Sequence, residues 1–359
     1  MVLTILIATP AALCAADAVV RGCLFLRART AAGSPAEALP RDEARPLVIV
    51  PARAEGELVT PTIASARGAR VLLLLDGADD EAEAAARALG ADVVVKEPPG
   101  PTKAAALEWL AREHRATIEA AGSVLLLDVG SRLSPSFFEH FAWPADADSL
   151  QTYLHGGDGG AADSERAAQS DEDRGREAFG WNVRLRGTGS GFRAQTFLEV
   201  VPRLGTRVED LEASLLLYRS KIRMAPRDAI VFDEKPPSIH DAGSQRARWL
   251  VGRYELLFKR ATTFAAHIAN RPIEGLAFFV EIFGRPLSLT VPLRVATGAF
   301  LMWRGFTFAG AVIAASTLID VALFTGRTSM RGALHLAASW LVAAAMIPKA
   351  LRRWTRVRR

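Results

Sequence analysis

The sequence has few cysteines, since Cys14 and Cys23 are the only two among 359 residues. They lie nine positions apart, so on one helix they would point in nearly opposite directions and could not form a disulfide. We therefore expect neither a disulfide framework nor a cysteine–histidine metal cluster.

Several motifs of well-known sites are also missing. The glycine-rich segment RGTGSGF, residues 186–192, fits neither the GxGxxG pattern of dinucleotide-binding folds nor the GxxxxGK[ST] pattern of P-loops. It does not contain GxSxG either, because Thr188 stands two positions before Ser190. We find no nucleic-acid-binding motif, and the formal net charge of +5 is modest. The arginine-rich end RRWTRVRR suits anionic lipid as well as it suits nucleic acid.

The composition is unusually apolar for a soluble enzyme. Half of the residues are hydrophobic, yet 23% are charged. This mixture favours a soluble domain attached to a few membrane helices over a wholly membrane-embedded protein.

An apolar run near the start, VLTILIATPAALCAADAVV at residues 2–20, is about as long as the roughly 20 residues that cross a bilayer. Asp17 is the only charge within it. A signal peptide is the competing interpretation, because ALCAADA has small residues spaced like a cleavage site, but the start MVLT lacks a basic region. Arg21, Arg27 and Arg29 follow, which places the next domain in the cytoplasm.

The other end contains two apolar runs, residues 305–324 and 332–351, which predict a transmembrane hairpin. Charged residues interrupt the preceding stretches 273–283 and 287–303, which favours interfacial or re-entrant helices there, although a third span remains open.

Between the two ends, short apolar runs alternate with alanine-rich segments. Residues 47–51, 71–75, 92–95 and 124–127 have the continuous hydrophobicity of strands that are buried on both faces of a parallel sheet. Residues 80–89 and 103–120 predict helices between them. The order predicts an α/β fold with a mostly parallel sheet.

Two carboxylates stand where ligands collect in such folds. Asp76 and Asp128 each directly follow a predicted strand, and strand carboxyl ends form the ligand-binding edge of open α/β sheets. An aspartate in this place can also be a simple turn former or helix cap. Together with Glu209 and Asp210, however, they could hold a divalent cation and supply a general base.

An ordered set of motifs resembles the membrane-associated family 2 glycosyltransferases, the inverting group with a GT-A fold. The matching segments are VIVPARAE, LLLLDGADD, PTKAAALEWL, VLLLDVGSRLSP, DSLQ, RGTGSGFRAQTF, VEDLEASLLLY and QRARW. The family includes cellulose and poly-N-acetylglucosamine synthases and ceramide glucosyltransferases. The resemblance covers roughly two-thirds of the chain.

The resemblance implies a set of roles. Asp210 would be the catalytic base and Glu209 its neighbour, while Asp128 would bind a Mg or Mn ion. The implied donor-binding residues are Pro51, Arg53, Glu55, Asp76, Lys103, Asp128, Gln245, Arg248 and Trp249. The implied acceptor-binding residues are Gly187, Thr188, Gly189 and Trp249. Without the upstream carboxylates, the QRARW segment would suggest an interfacial amphipathic helix instead.

The implied activity is hexosyl or N-acetylhexosaminyl transfer from a nucleoside-diphosphate sugar, with UDP favoured, to a lipid, lipid-linked or polysaccharide acceptor. The predicted organisation is an anchor at 1–28, a linker at 29–46, a cytoplasmic GT-A domain at 47–235, interfacial helices at 236–304, and a hairpin with a basic tail at 305–359. This describes a multi-pass protein of the inner (cytoplasmic) membrane that contacts membrane lipids and no nucleic acid.

Three positions depart from the family pattern. Gly130 replaces the second acid of the metal-binding DxD motif, Ala54 replaces an asparagine, and Thr102 replaces a glycine. Gly130 leaves Asp128 as the direct metal ligand unless Ser131 or a water substitutes. A catalytically impaired relative that acts as a binding or assembly subunit is therefore the alternative. The charged insert at 156–178 predicts a mobile loop, either a lid or a passive linker.

Overall fold

The computed structural model of the chain describes residues 2–30, 45–156, 161–233, 239–284, 287–325, 338, 342–343 and 345–348. These residues form two compact units. The sheet unit comprises the described parts of Ala31–Asp158 and Arg176–Glu234. The helical unit comprises the described parts of Met1–Thr30, Gly159–Gly175 and Lys235–Arg359. The predicted linker and the second helix of the predicted C-terminal hairpin lie largely outside the described residues, so the predicted boundaries stay predictions.

The chain begins with helix α1 (Val2–Thr30), which belongs to the helical unit. In the sheet unit, the strands are β1 (Leu47–Ala52), β2 (Val71–Asp76), β3 (Asp92–Lys96), β4 (Ser123–Leu126), β5 (Ser131–Leu133), β6 (Ser149–Gln151), β7 (Tyr153–His155), β8 (Ser190–Arg193), β9 (Ile222–Met224) and β10 (Ile230–Asp233). The helices that separate them in sequence are α2 (Val59–Ser65), α3 (Asp80–Ala88), α4 (Lys103–Glu113), α5 (Arg115–Ala121), α6 (Phe137–His140), α7 (Ala161–Ala178), α8 (Ala194–Val200) and α9 (Glu209–Leu216), with 3-10 turns at Gly56–Leu58 and Val201–Arg203. Helix α7 up to Gly175 belongs to the helical unit.

The central sheet confirms the predicted α/β class. Within the described residues it has seven strands in the order β3-β2-β1-β4-β8-β6-β9, and all neighbours run parallel except the pairs that β8 makes. The four strands predicted from apolar runs are β1 to β4. A smaller sheet has the order β5-β10-β7.

Alternate residues of the central strands fill two separate hydrophobic cores. Leu47 and Ile49 of β1 pack in one core, whereas Val48 and Val50 pack in the other. Because both faces of β1 are covered, the strand is apolar throughout, which is why the sequence pattern detected it. Since the middle of such a strand is buried, its polar residues lie at the ends, as Asp76 does on β2.

The insert is a helix rather than the predicted loop. Residues Ala161–Ala178 form α7, and Asp173 and Arg176 are buried. Alanine, glutamate and arginine are good helix formers, and the charged composition concealed this propensity. Close packing also orders the segment, because a Cβ on Gly175 would lie 2.1 Å from the backbone oxygen of Leu24 on α1.

The remaining helices of the helical unit are α10 (Ile239–Lys259), α11 (Ala261–Asn270), α12 (Pro272–Gly284), α13 (Leu287–Trp303) and α14 (Thr307–Thr325). Helix α14 matches the first arm of the predicted hairpin. One helix among the described residues, Ala8–Thr30, is long and apolar enough to cross a membrane, and Thr307–Asp320 is a shorter apolar helix. Length and composition alone are weak evidence, since buried core helices and signal sequences share them.

Four buried charges connect α1, α13 and α14. Arg21 forms ion pairs with Asp17, at 3.3 Å, and with Asp320. Arg294 pairs with the same Asp320 and donates to the backbone oxygen of Ser316 at 3.2 Å. Each of the four charged residues is at most 7% exposed. The cluster balances two positive and two negative charges, which is the condition under which buried charges are tolerated.

Candidate active site

The first polar cluster lies where β2 ends. Asp76 is buried, and its Oδ1 accepts a hydrogen bond of 2.7 Å from the Gly100 amide. Arg53, which follows β1, forms a 2.8 Å ion pair with Asp76 Oδ2 and also donates to the Gly100 carbonyl. Lys96 Nζ is 3.8 Å from Asp76 Oδ1. Asp76 thus joins the ends of two strands to the loop before α4.

Asp128 follows β4 and opens a tight turn. The Ser131 amide donates to the Asp128 carbonyl at 2.9 Å, and Gly130 has a φ of +87°. The Gly130 amide donates to Thr62 Oγ1 at 2.9 Å, and the Asp128 amide donates to Thr188 Oγ1 at 3.2 Å. These bonds hold the backbone on both sides of the Asp128 carboxylate.

A lysine connects two of the predicted carboxylates. Lys103, the first residue of α4, places Nζ 2.6 Å from Asp128 Oδ1 and 3.2 Å from Glu209 Oε1. Burial alone would lower the pKa of Lys103, but the two carboxylates outweigh it and raise that pKa well above its usual value. Lys103 is therefore a fixed positive charge at neutral pH.

The two acids of the Glu-Asp motif begin helix α9. A Cβ added to Gly187 would lie 3.6 Å from Asp128 Oδ2 and 3.9 Å from Asp210 Oδ2, so both carboxylates face this glycine. Glu209 instead pairs with Lys103. The structure therefore brings together the predicted base, its neighbour, the predicted metal ligand and the first glycine of the acceptor loop.

Glu212 fixes the start of α9 through hydrogen bonds to the preceding loop. It is fully buried, and its Oε2 accepts hydrogen bonds from the amides of Gly205, at 2.8 Å, and Thr206, at 2.7 Å. The preceding loop is thus tied to the helix that carries Glu209 and Asp210.

Gln151, at the end of β6, organises the glycine loop. Its Nε2 donates to the carbonyl of Thr188 at 3.1 Å, and its Oε1 accepts from the Arg186 amide and the Ser190 hydroxyl, both at 2.9 Å. Gln151 is 1% exposed. This side chain therefore sets the path of the loop that orients Thr188 toward Asp128.

Gly189 cannot accept a side chain in this loop. Its φ is +68°, and a Cβ there would lie 2.0 Å from Thr152 Oγ1. We expect Gly189→Ala to lower the free energy of unfolding by roughly 2–5 kcal/mol, from backbone strain and overpacking together. Chemical denaturation of the full chain measures the loss. Gly205→Ala is the matched control, because no atom lies within 4 Å of a Cβ there, and equal losses in the two variants would contradict the argument.

The structure accounts for two of the three departures from the family pattern. Thr102 is the N-cap of α4, and its Oγ1 accepts from the Ala105 amide at 3.2 Å, a bond that glycine cannot make. Gly130 has the positive φ that favours glycine, so an aspartate there would be strained. Ser131 is fully buried, and its hydroxyl lies 3.4 Å from Asp233 Oδ1.

Ala54 is the third departure, and it is strained. It is exposed and has a φ of +51°, a conformation that asparagine and glycine adopt more readily than alanine. We expect Ala54→Asn to raise the free energy of unfolding by about 1 kcal/mol, and Ala54→Val to lower it. Denaturation midpoints of the two variants measure the effects, and shifts of the same sign would contradict a strained Ala54.

The other predicted donor residues lie in different places. Pro51 is within β1, and Glu55 precedes the 3-10 turn Gly56–Leu58. Gln245, Arg248 and Trp249 lie on α10, which confirms their helical spacing but places them in the helical unit. Their part in donor binding stays a prediction.

Three residues of this region were not identified from sequence as site residues. Gln151, Thr62 and Glu212 act through hydrogen bonds to backbone amides and carbonyls, and such partners have no fixed sequence spacing. A glutamine at the end of a short strand and a glutamate inside a helix are ordinary patterns. Among the described residues, no group of three or more histidine, cysteine, aspartate or glutamate side chains is arranged to hold a metal ion.

Comparison with family models and with curated protein sequences gives no match. Solved structures of glucosyl-3-phosphoglycerate synthase from Mycobacterium tuberculosis are similar to part of the chain. The complex with Mn2+, UDP and phosphoglyceric acid is 20% identical, with a TM-score of 0.34 over 50% of this chain and 68% of that chain. The complex with phosphoglyceric acid alone is 18% identical, with a TM-score of 0.36 over 56% and 75%. A likeness at this level assigns no ligand or reaction to the chain.

Proposed function

We propose that the sheet unit transfers a sugar from a nucleoside-diphosphate donor, with UDP favoured, to an acceptor hydroxyl with inversion at the anomeric carbon. The observation that carries this proposal is the meeting of Lys103, Asp128, Glu209 and Asp210 near Gly187. These residues come from four distant sequence motifs, and the resemblance to family 2 glycosyltransferases with a GT-A fold assigns each of them to the reaction.

Asp210 is the better placed of the two acids to act as the base. Glu209 is engaged with Lys103 at 3.2 Å, whereas Asp210 Oδ2 faces the glycine loop proposed for the acceptor. In an inverting transfer the acceptor hydroxyl attacks the anomeric carbon from the face opposite the diphosphate. Asp210 would take the hydroxyl proton as that bond forms and the bond to the diphosphate breaks.

The leaving diphosphate requires positive charge. Lys103 supplies one fixed charge, and Arg53 lies at the neighbouring strand ends. A divalent cation, Mg or Mn, would take the place of the Lys103 ammonium, which lies 2.6 Å from Asp128 Oδ1 and 3.2 Å from Glu209 Oε1. Asp128 would hold the ion, which would neutralise diphosphate charge, and donor oxygens and water would complete its shell.

The glycine loop is the proposed acceptor side. Gly187 and Gly189 both have positive φ, so the backbone can approach a ligand closely without an intervening Cβ. Thr188 lies between them, with its Oγ1 bonded to the Asp128 amide. We place Gln245, Arg248 and Trp249 at the donor and acceptor from the resemblance alone.

We propose attachment to the inner membrane through several helices. Large exposed apolar side chains concentrate in the helical unit, whereas Leu58 and Phe179 are the only ones in the described part of the sheet unit. Those of the helical unit include Phe258, Ile273, Leu276, Trp303, Phe306, Phe308, Val312 and Leu318. Such a surface suits lipid and not water. It favours a lipid or lipid-linked acceptor, presented to a cytoplasmic sheet unit.

The test of function is a screen of the purified full chain against UDP-sugars, with and without Mn2+ or Mg2+. The release of UDP is measured with lipid extracts as acceptor. We expect one hexosyl or N-acetylhexosaminyl donor to give turnover that EDTA removes. No turnover with any donor, although UDP binds, would favour the impaired binding subunit instead.

Membrane attachment has a separate test. We expect the full chain to stay with the membrane fraction after carbonate extraction, because several apolar helices hold it. Tags placed at Arg29, directly after the anchor, and at Arg359 should both report the cytoplasm. Release of the chain by carbonate would contradict insertion in the bilayer.

A further inference from the structure

The ammonium of Lys103 occupies the place where a metal ion would meet its protein ligand. Its Nζ is 2.6 Å from Asp128 Oδ1 and 3.2 Å from Glu209 Oε1. The three side chains are between 16% and 28% exposed, so water screens the cluster only in part. In this arrangement the protein neutralises its own carboxylates.

A divalent cation that binds Asp128 would therefore lie beside a fixed positive charge. Two positive charges within a few ångströms repel each other, so the ammonium weakens the binding of the cation. Gly130 supplies no second carboxylate that could offset the repulsion, because it has no side chain. The cation can bind well only after the ammonium has moved away from Asp128.

The donor diphosphate provides the reason for that movement. A lysine ammonium is a compact charge on a flexible four-carbon stem, so it can exchange one anionic partner for another nearby. The diphosphate offers several oxygens to Lys103 and others to the cation. One ligand can thus release the carboxylates and complete the metal shell.

We propose that Lys103 is an exchangeable internal counter-cation that makes metal binding conditional on the donor. In the donor-free protein it holds Asp128 and Glu209 and keeps divalent cations out. When a nucleoside diphosphate binds, Lys103 transfers to the diphosphate and the cation takes its place at Asp128. The inference rests on the proposed function for the identity of this ligand.

The experiment measures Mn2+ binding by electron paramagnetic resonance of free Mn2+, in the purified full chain with and without UDP. Without UDP, Lys103→Met should bind Mn2+ about 10-fold more tightly than the wild type, because a like charge has been removed. In the wild type, UDP should raise the affinity for Mn2+ by about 10-fold or more. In Lys103→Met, UDP should raise that affinity much less, because the competing ammonium is already absent.

Lys221→Met is the matched control. Lys221 is exposed and pairs with Asp146 at 3.2 Å, so its loss changes the net charge equally without touching Asp128. It should leave Mn2+ binding unchanged. Lys103→Gln removes the same charge and serves as the test if a thermal melt shows that Lys103→Met is unfolded. If both variants fold, they should bind Mn2+ with similar affinity.

The proposal is overturned if neither Lys103 variant binds Mn2+ more tightly than the wild type without UDP, or if the control gains as much. These measurements do not depend on turnover. If the Lys103 variants bind Mn2+ more tightly but the wild type transfers no sugar, the counter-cation role of Lys103 is supported and the proposed transferase is rejected. If the wild type transfers sugar but the Lys103 variants bind Mn2+ no more tightly, the counter-cation role is rejected and the transferase is supported.

Discussion

Asp210→Asn should abolish sugar transfer while UDP binding persists. The substitution keeps the size of the side chain and removes its ability to accept a proton. Loss of a positioned general base typically lowers the rate by about 100- to 10,000-fold. UDP should still bind, because Lys103 and Arg53 supply positive charge independently of Asp210. Initial rates of UDP release and UDP affinity from calorimetry measure the two effects.

Two further variants make the result specific to Asp210. Asp146→Asn removes a carboxylate of the same unit that is 43% exposed and pairs with Arg223 at 2.8 Å, and its activity should match the wild type. Glu209→Gln removes one of the two carboxylates that hold Lys103 in the donor-free protein, so it should not weaken UDP binding. An Asp210→Asn protein that keeps most of the parental rate would remove this residue from the mechanism.

The parts of the sheet that the sequence predicted are the strands with continuous apolar runs. Strands β1, β2 and β4 are apolar because both of their faces are buried, and the edge strand β3 is half-buried but has an apolar centre, so each can be recognised by itself. The same rule located Asp76 and Asp128, since they stand at strand ends. The family resemblance then ordered the motifs, and the structure brings together the side chains of Lys103, Asp128, Glu209 and Asp210.

The smaller sheet was not predicted because its strands are short. Strand β10 pairs with β5 and β7, and each of these has only three or four residues, with no clear alternation. Its pairing depends on distant residues, such as Asp233 opposite Ser131, which are 102 positions apart. Local sequence carries no signal for such contacts.

The ion pairs escaped prediction for the same reason. Lys103 was assigned to the donor from its motif, but its contact with Glu209 joins segments far apart in sequence. Asp17 was noted only as the single charge in an apolar run. Its pairing with Arg21 is an i,i+4 contact within α1, whereas the link from Arg21 to Asp320 on α14 appears only when the helices pack.

Those buried charges support a second prediction with a large effect. Asp320→Leu would leave Arg21 and Arg294 with a single aspartate, Asp17, in an apolar environment. Breaking a buried ion pair from one side typically costs about 3–5 kcal/mol, because an uncompensated charge stays buried. Arg294→Met should cost a similar amount for the opposite reason, since it leaves one carboxylate in excess. Thermal unfolding in detergent measures each loss.

The double variant Arg294→Met/Asp320→Leu decides whether charge balance is the cause. It leaves Arg21 with Asp17, a pair already 3.3 Å apart, and fills the remaining space with apolar groups. Replacing both members of a buried pair is often neutral, so most of the lost stability should return. Lys259→Met is the control in the same unit, because its pair with Glu255 is largely exposed and should contribute less than about 1 kcal/mol. If the losses of the two single variants simply add in the double variant, each side chain stabilises the helices separately. Recovery would instead show that each single variant is destabilised by the uncompensated charge that it leaves buried between the helices.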